Sequence, residues 1–241
     1  MLILTSFLVN AQESFKTDQK RYKRVRTAYA EKYDAIEKLF KENEVNINDF
    51  SIYLRSYKKE EALELWVKSG DDQTYRLLKT YEICSSSGVI GPKRQEGDLQ
   101  VPEGFYKIEI FNPFSNFYLS MGLNYPNRSD RILGVKSSLG GDIYIHGSCV
   151  TIGCIPITDE QIKELYVICV EAKRAGQKSI PVTMFPARLT KENYEQLVKE
   201  YANDEDKTGL WADLKVAYDL FNKNKKLPSV SFLASGRHSV R

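Results

Sequence analysis

The first part of the chain has the pattern of an amphipathic helix. Between residues 13 and 43, apolar side chains recur at intervals of three and four with charged residues between them. These positions are Tyr22, Val25, Tyr29, Tyr33, Ile36, Leu39 and Phe40. This spacing places them on one helix face and predicts one long helix or two shorter ones. The polar run at residues 46–49 ends the pattern.

From residue 50 the pattern is typical of β-strands. Alternating or continuous apolar runs predict strands at residues 51–55, 62–67, 74–83, 105–111 and 117–123. The first three are separated only by short polar turns, which implies antiparallel pairing because a parallel connection needs a longer crossover. Residues 124–131 are polar and are predicted to form a loop.

The last third of the chain is mainly helical. Thr158 is a good N-cap for a helix that runs to about Ala175. Further patterns predict a strand at 180–185, helices at 190–201 and 211–223, and a last edge strand at 230–233. The chain is therefore predicted to be α+β, with a mostly antiparallel β-sheet or sandwich as its core. We expect an N-terminal helical segment at 12–48, the core domain at 49–187 and a C-terminal helical extension at 188–241.

Composition and charge narrow the class of protein. The 241 residues are 42% hydrophobic and 28% charged, which is typical of a globular protein with a sizeable core. A net charge of +3 is too small to indicate nucleic acid binding. Basic residues cluster at 20–26, and this cluster is interpreted as a solvated helix face, with a weak hold on an anionic polymer as the alternative.

The first residues resemble the end of a secretory signal. Residues 2–12 contain a short apolar stretch, and Val9 and Ala11 occupy the small-residue positions before a cleavage site. The pattern predicts that residues 1–11 are a signal-peptide remnant and that the protein is periplasmic or otherwise exported. No other stretch approaches the roughly 20 apolar residues of a membrane span.

Cysteine and histidine are concentrated at residues 146–154. This segment holds one of the two histidines and two of the four cysteines. Thiolate catalysis requires at least a thiol and an imidazole close to each other. His146 is therefore the candidate base, whereas His238 lies in a polar tail near the C-terminus. Cys154 is the candidate nucleophile because Gly153 before it permits a positive φ and a close approach of substrate. The backbone N–H of Cys154 is a candidate donor to an oxyanion.

Other interpretations of the cysteines remain open. His146, Cys149 and Cys154 would serve as zinc ligands with Cys84 or Cys169, although the spacing does not match paired Cys-x2-Cys knuckles. A Cys149–Cys154 disulfide beside a structural histidine is another alternative. Cys169 lies in a helical pattern and is expected to be a small buried apolar residue. A chain of this length does not need disulfides, so at least one thiol is expected to be free.

A family resemblance is carried by two segments, GGDIYIHG at residues 140–147 and TIGC at 151–154. They resemble the catalytic signature of the YkuD-type L,D-transpeptidases, in which His-Gly and a spacer precede Ser/Thr-His-Gly-Cys. The order His-Gly-x-Cys-x-x-x-Gly-Cys before Thr158-Asp159 is most similar to the short-spacer YafK-type branch. Gly97-Asp98 with PEGFY, and the segment 120–127, are also similar to this family. The resemblance covers about residues 50–172.

The resemblance implies roles for particular residues. Cys154 would be the acylated nucleophile and His146 the general base, with Gly153 and the Cys154 backbone forming part of the oxyanion site. Candidate substrate-binding residues are Gly147 and Thr151 from the motif, and Tyr125, Arg128 and Arg131 from the preceding loop. The alternatives for the last three are a packed aromatic and solvated loop arginines. No cofactor or metal is implied.

Two positions depart from the family pattern. Ile152 stands where the family has its second histidine, and Ile155-Pro156 displaces the arginine or asparagine that follows the cysteine. The sequence therefore leaves open which group orients His146 and which cation holds a substrate carboxylate.

The function implied is that of an exported cysteine L,D-transpeptidase acting on peptidoglycan stem peptides through a Cys154 thioester. If water resolves the thioester, the enzyme is instead an L,D-carboxypeptidase or a hydrolase of wall peptides or of a protein linked to the wall. A further alternative is a non-catalytic wall-binding module with a structural Cys/His loop.

Overall fold

The computed structural model describes residues 14–241, and the proposed signal remnant at residues 1–11 lies outside the described residues. Residues 14–19 are helical and a short break separates them from the first long helix. The helices are α1 Lys23–Glu42, α2 Arg128–Leu133, α3 Asp159–Arg174, α4 Lys191–Glu200 and α5 Glu205–Asn224. The predicted N-terminal helical pattern is therefore two helices.

Ten strands accompany these helices. They are β1 Phe50–Tyr57, β2 Ala62–Ser69, β3 Arg76–Glu82, β4 Gly104–Asn112, β5 Ser120–Leu123, β6 Tyr144–His146, β7 Ile155–Pro156, β8 Ile180–Phe185, β9 Val230–Phe232 and β10 His238–Val240. The first eight form one sheet in the order β3-β2-β1-β8-β4-β5-β6-β7. The pairs β1–β8 and β6–β7 are parallel and the others are antiparallel. The α+β fold with a mostly antiparallel sheet is confirmed.

Strands β1 and β2 are buried on both faces of the sheet, because apolar residues occupy both odd and even positions along them. Ile52 and Leu54 of β1 belong to a core cluster with residues of α1 and α3. Tyr57, on the other face of β1, packs in a second cluster with Trp211 of α5. The predicted helices at both ends of the chain thus cover opposite faces of one sheet, while the domain boundaries given above stay predictions.

One sequence prediction is wrong in detail. Residues 124–131 are not all loop, because Asn127 and Asp130 form a capping box that starts α2. The predicted last strand is present as β9 and pairs with β10 in a separate hairpin. An Asp213–Arg237 ion pair, partly exposed on the arginine side, fastens this hairpin to α5.

The parallel pair β6–β7 positions the candidate site. His146 is in register with Pro156, so the chain turns back on itself within residues 147–154. Strand β6 lies between β5 and β7 near one edge of the sheet, and α3 begins directly after β7. No helix among residues 14–241 is long and apolar enough to cross a membrane.

Candidate active site

A tight turn at residues 151–154 presents the Cys154 thiol. The Thr151 hydroxyl accepts hydrogen bonds from the N–H groups of Gly153 (3.1 Å) and Cys154 (2.8 Å) and donates to the Cys154 carbonyl (2.9 Å). Gly153 has φ +134°, and a Cβ there would lie 3.1 Å from the Gln100 carbonyl oxygen. The positive φ expected from the sequence is confirmed. One hydroxyl closes the turn, and a side chain at 153 would strain it.

The Cys154 thiol is free and half-buried. Its Sγ accepts a hydrogen bond from the Tyr144 N–H and donates to the Asp142 carbonyl, both at 3.4 Å. Burial raises the pKa of the thiol above its ordinary value; the Asp142 charge also raises it, while the Tyr144 N–H and Lys93 lower it. The resting nucleophile is therefore a protonated thiol that needs a base.

His146 ends strand β6 and has the properties of such a base. Its side chain is buried, and its Nδ1–H donates to the Gly147 carbonyl oxygen at 2.5 Å. This bond fixes the tautomer that leaves Nε2 as an acceptor, because a carbonyl oxygen can only accept. Burial lowers the pKa of His146, and the Gly147 bond opposes that shift only in part. The imidazole is therefore neutral at neutral pH.

Gly147 follows the histidine at a point of close backbone approach. A Cβ at this position would lie 2.6 Å from Asp159 Oδ1 and 2.8 Å from the Phe117 carbonyl oxygen. Asp159, at the start of α3, accepts the Ser148 N–H at 2.9 Å. The structure thus gives Gly147 a packing role behind His146: it lets α3 approach the turn that carries the base.

Cys154 and His146 line one cavity of about 360 Å³. Its other lining residues are Asn112, Phe114, Ser115, Asn116, Phe117, Ser120, Asp142 and Tyr144. Within the described chain no direct hydrogen bond joins Sγ to the imidazole. A thiol and a neutral imidazole in one cavity are the groups that a nucleophile and a general base require.

The remaining cysteines decide between the alternatives left open by the sequence. Cys84 and Cys149 form a disulfide across 65 residues, so the Cys149–Cys154 bridge is wrong. The same bond uses two thiolates of the zinc hypothesis, and residues 14–241 contain no group of His, Cys, Asp and Glu arranged to hold a metal. Cys169 is fully buried in α3, as expected. The disulfide fastens the 147–154 turn to the chain just after β3.

A second cavity of about 330 Å³ adjoins the first, and Asp142 and Tyr144 line both. Tyr125 and Arg128 lie here rather than beside the thiol, together with Arg131. The two arginines are three residues apart on α2 and so share one helix face. Both are exposed, and neither forms an ion pair with any residue from 14 onward. Tyr125 is mostly buried and donates its hydroxyl to the Leu139 carbonyl oxygen at 3.0 Å.

Comparison with known proteins places the chain in a family. Residues 45–183 match the model of the YkuD family, described as the L,D-transpeptidase catalytic domain. The chain is 37% identical over 191 residues to the "Putative L,D-transpeptidase YafK" of Escherichia coli strain K12, covering 78% of this chain and 73% of that protein. The chain belongs to the YkuD family of L,D-transpeptidase catalytic domains. The protein of the same name from Escherichia coli O157:H7 matches to the same extent.

Solved structures with a related fold are more distant. The crystal structure of the helical cell shape determining protein Pgp2 from Campylobacter jejuni has a TM-score of 0.46 and 20% identity, covering 77% of this chain and 73% of that chain. The structure of Bd1075 from Bdellovibrio bacteriovorus has a TM-score of 0.41 and 19% identity, covering 71% of this chain and 63% of that one.

Three residues of the YkuD-type site were not singled out from the sequence. Tyr144 lies two positions before His146 on β6, so strand alternation places both on one face, and this signal was available. Asp142 lies within the family-like segment, but its contribution is a backbone carbonyl, which no residue type indicates. Phe117 reaches His146 from a distant loop and has no local signal. Ile152, in place of the second histidine, is 79% exposed.

The thiol assignments predict how many cysteines react. Native protein treated with iodoacetamide should gain one adduct, on Cys154, because Cys169 is 0% exposed and the other two cysteines are paired. Unfolding without reductant should give two adducts, and unfolding after reduction four. Intact mass and peptide mapping measure these counts, with Cys154→Ala as the control that gives none in the native state. Four adducts on unfolding without reductant would show that the disulfide is absent.

Proposed function

We propose that this protein is an exported cysteine L,D-transpeptidase that acts on peptidoglycan stem peptides. One observation carries the proposal: the only solvent-accessible free thiol of the described chain, Cys154, shares a cavity with a neutral imidazole whose Nδ1 is already bound. Membership of the YkuD family supplies the class of substrate. Export rests on the pattern of residues 1–11.

The first half-reaction forms a thioester. His146 Nε2 takes the thiol proton as Sγ attacks the carbonyl carbon on the L-centre side of a diaminopimelate residue. The resulting tetrahedral intermediate carries the negative charge on oxygen. As the peptide C–N bond breaks, His146 returns the proton to the leaving amine, so charge and protons balance. The acyl group then remains on Cys154.

We assign the oxyanion to the turn that holds the nucleophile. The N–H groups of Gly153 and Cys154 point at a single acceptor, the Thr151 hydroxyl. An oxyanion is a stronger acceptor than a neutral hydroxyl, so it would draw these donors away from Thr151 during the reaction. Thr151 therefore organises the donors in the resting enzyme and contacts substrate only through them.

The second cavity is the proposed site for the substrate carboxylate. Arg128 and Arg131 supply guanidinium groups that have no ion-pair partner within residues 14–241. Asp142 and Tyr144 line both this cavity and the cavity of the thiol, so they lie between the arginines and Cys154. Guanidinium binds carboxylate in a bidentate manner, which would orient a peptide whose scissile carbonyl lies over Cys154. Tyr125 forms part of the wall of this cleft.

The thioester is resolved by an amine or by water. An amine gives a transpeptide cross-link, whereas water gives a carboxypeptidase or releases a peptide or a wall-linked protein. The acylation step, in which one acyl group is transferred to Cys154, is the same for both outcomes. We propose transpeptidation because the family is that of the L,D-transpeptidases, with hydrolysis as the second outcome of the same thioester.

Product analysis tests the reaction. Incubation with purified stem tetrapeptides should give cross-linked dimers, while released fragments without dimers would indicate hydrolysis. Cys154→Ala should lower either product by several orders of magnitude because no other group can carry the acyl intermediate. Liquid chromatography with mass detection measures the products. Activity retained in Cys154→Ala would exclude the Cys154 thioester. If the native protein forms no adduct with a carbapenem and no product, the wall-binding module is the better interpretation.

The two pKa shifts predict the pH dependence of acylation. The pKa of His146 lies below its ordinary value of 6.5, so the neutral base persists into mildly acidic solution. The rate of carbapenem acylation should therefore stay high as the pH falls through 6.5 and should fall only at lower pH. His146→Gln should instead show a slow rate that rises only in alkaline solution, as the thiol ionises. A native rate that falls by half at or above pH 6.5 would contradict the proposed base.

Substrate binding by α2 is tested separately. Arg128→Ala should raise KM for the stem tetrapeptide roughly tenfold, the loss expected for one charge-assisted hydrogen bond of about 1.5 kcal/mol. Acylation by a small thiol reagent should be unchanged, since Arg128 does not line the thiol cavity. Arg21→Ala, which removes an exposed guanidinium outside both cavities, is the matched control. An unchanged KM in Arg128→Ala would show that this cleft does not hold the carboxylate.

A further inference from the structure

His146 is held on its edge by one hydrogen bond and on its face by one aromatic ring. The ring of Phe117 lies 4.7 Å from the imidazole, centroid to centroid, with an angle of 32° between the planes. Phe117 also lines the cavity and is 41% exposed, so its outer side faces solvent and its inner side covers the base. It is placed to keep water from the imidazole and to limit rotation of the ring.

Phe117 belongs to the aromatic segment, defined here as residues 113–118 between β4 and β5. Two short side-chain bonds shape it: Asn112 Oδ1 accepts the Phe114 N–H at 2.9 Å and Ser115 Oγ accepts the Phe117 N–H at 3.1 Å. Just beyond the segment, the Leu119 carbonyl accepts the Gly147 N–H at 3.2 Å. The end of the segment therefore lies alongside the backbone that follows His146.

The aromatic segment is fastened from outside the sheet by helix α1. The Arg24 guanidinium donates to the Ser115 carbonyl and, at 2.7 Å, to the Tyr118 carbonyl, so it spans the turn that carries Phe117. Tyr22, just before α1, packs edge-on against Phe114 with ring centroids 4.7 Å apart. Helix α1 contributes no residue to the lining of the cavity, but it holds in place the aromatic segment that forms one wall of the cavity.

We propose that Phe117 is a positioning residue for the base His146, and that Arg24 of α1 acts through it by holding the aromatic segment closed over the imidazole. This inference rests on the proposed role of His146. It adds a function for the N-terminal helix, which the catalytic motif does not include.

Two effects of the ring on the imidazole oppose each other. The ring excludes water, which disfavours the imidazolium, while its π-face attracts the imidazolium. Burial is the main cause of the lowered pKa of His146, and the ring of Phe117 contributes to that burial. Removal of the ring should therefore raise that pKa.

The charged and titratable groups around His146 do not reverse this expectation. Cys154, Asp142 and Tyr144 lie in the same cavity, and Asp159 lies behind Gly147. None of them contributes to the pKa shift of the histidine, whose causes are burial and the Gly147 hydrogen bond. The ring of Phe117 is thus the part of its surroundings that a single substitution can remove without changing a charge.

The test follows the two imidazoles by NMR titration, which requires no turnover. With only two histidines in the chain, the imidazole signals are few. In Phe117→Ala the pKa of His146 should rise toward its ordinary value, and the acid limb of carbapenem acylation should move with it. The acylation rate should fall about tenfold, as expected for a misplaced base. Phe117→Tyr should restore both, and Leu77→Ala, a control of similar exposure at 45%, should change neither.

Arg24→Ala provides the second variant, since it removes no core side chain and should shift the His146 titration in the same direction by a smaller amount. An unchanged His146 titration in both variants overturns the proposal, even if activity falls, because Phe117 would then act only as a contact for substrate. Failure of the proposed function has a different signature: Cys154→Ala and His146→Gln would leave product formation intact. A raised pKa of His146 in both variants supports the proposal whichever product the enzyme makes.

Discussion

The parallel pairing of β6 with β7 is the constraint on which the site depends. Parallel neighbours are ordinarily joined by a crossover of a dozen or more residues, yet here residues 147–154 make the whole connection. A return this short brings Cys154 back beside Tyr144 and the carbonyl of Asp142, with Tyr144 two residues before His146 on β6. Every other feature of the turn serves this geometry: a positive φ at Gly153, a hydroxyl that closes the turn and a glycine that admits α3.

The Cys154 thiol and the His146 imidazole are both uncharged at rest, and this follows from burial. Low exposure disfavours a charge on either partner, so the thiol keeps its proton and the imidazole lacks one. Such a pair differs from the thiolate–imidazolium pairs of more exposed thiol enzymes, where the nucleophile is charged before substrate arrives. In the mechanism we propose, the proton moves only when an acyl carbon is in place to receive the sulfur electrons, which ties reactivity to a correctly bound substrate.

The sequence predicted those features that depend on neighbours along the chain. Apolar runs in β1 and β2 predicted strands, Thr158 predicted the start of α3, and Gly153 predicted a backbone with positive φ. The features it missed join residues far apart: the ring of Phe117 on His146, the Cys84–Cys149 bond, and α2, whose arginines line a cleft bordered by β6. Strand order set these contacts, because the insertion of β8 between β1 and β4 brings together segments that no local pattern connects. Even the group that orients His146 is a backbone carbonyl, which residue identity does not reveal.

The Cys84–Cys149 disulfide has a consequence for how the Cys154 thiol withstands oxidising conditions. Cys149 is the thiol nearest to Cys154 in sequence, and a free thiol there would compete to trap the nucleophile as an inactive bridge. With Cys149 already bonded to Cys84, the only route to such a bridge is exchange, which requires Cys154 as thiolate. Burial keeps that thiolate scarce. Of the two cysteines on this turn, Cys149 is held in a structural disulfide and Cys154 remains a free thiol.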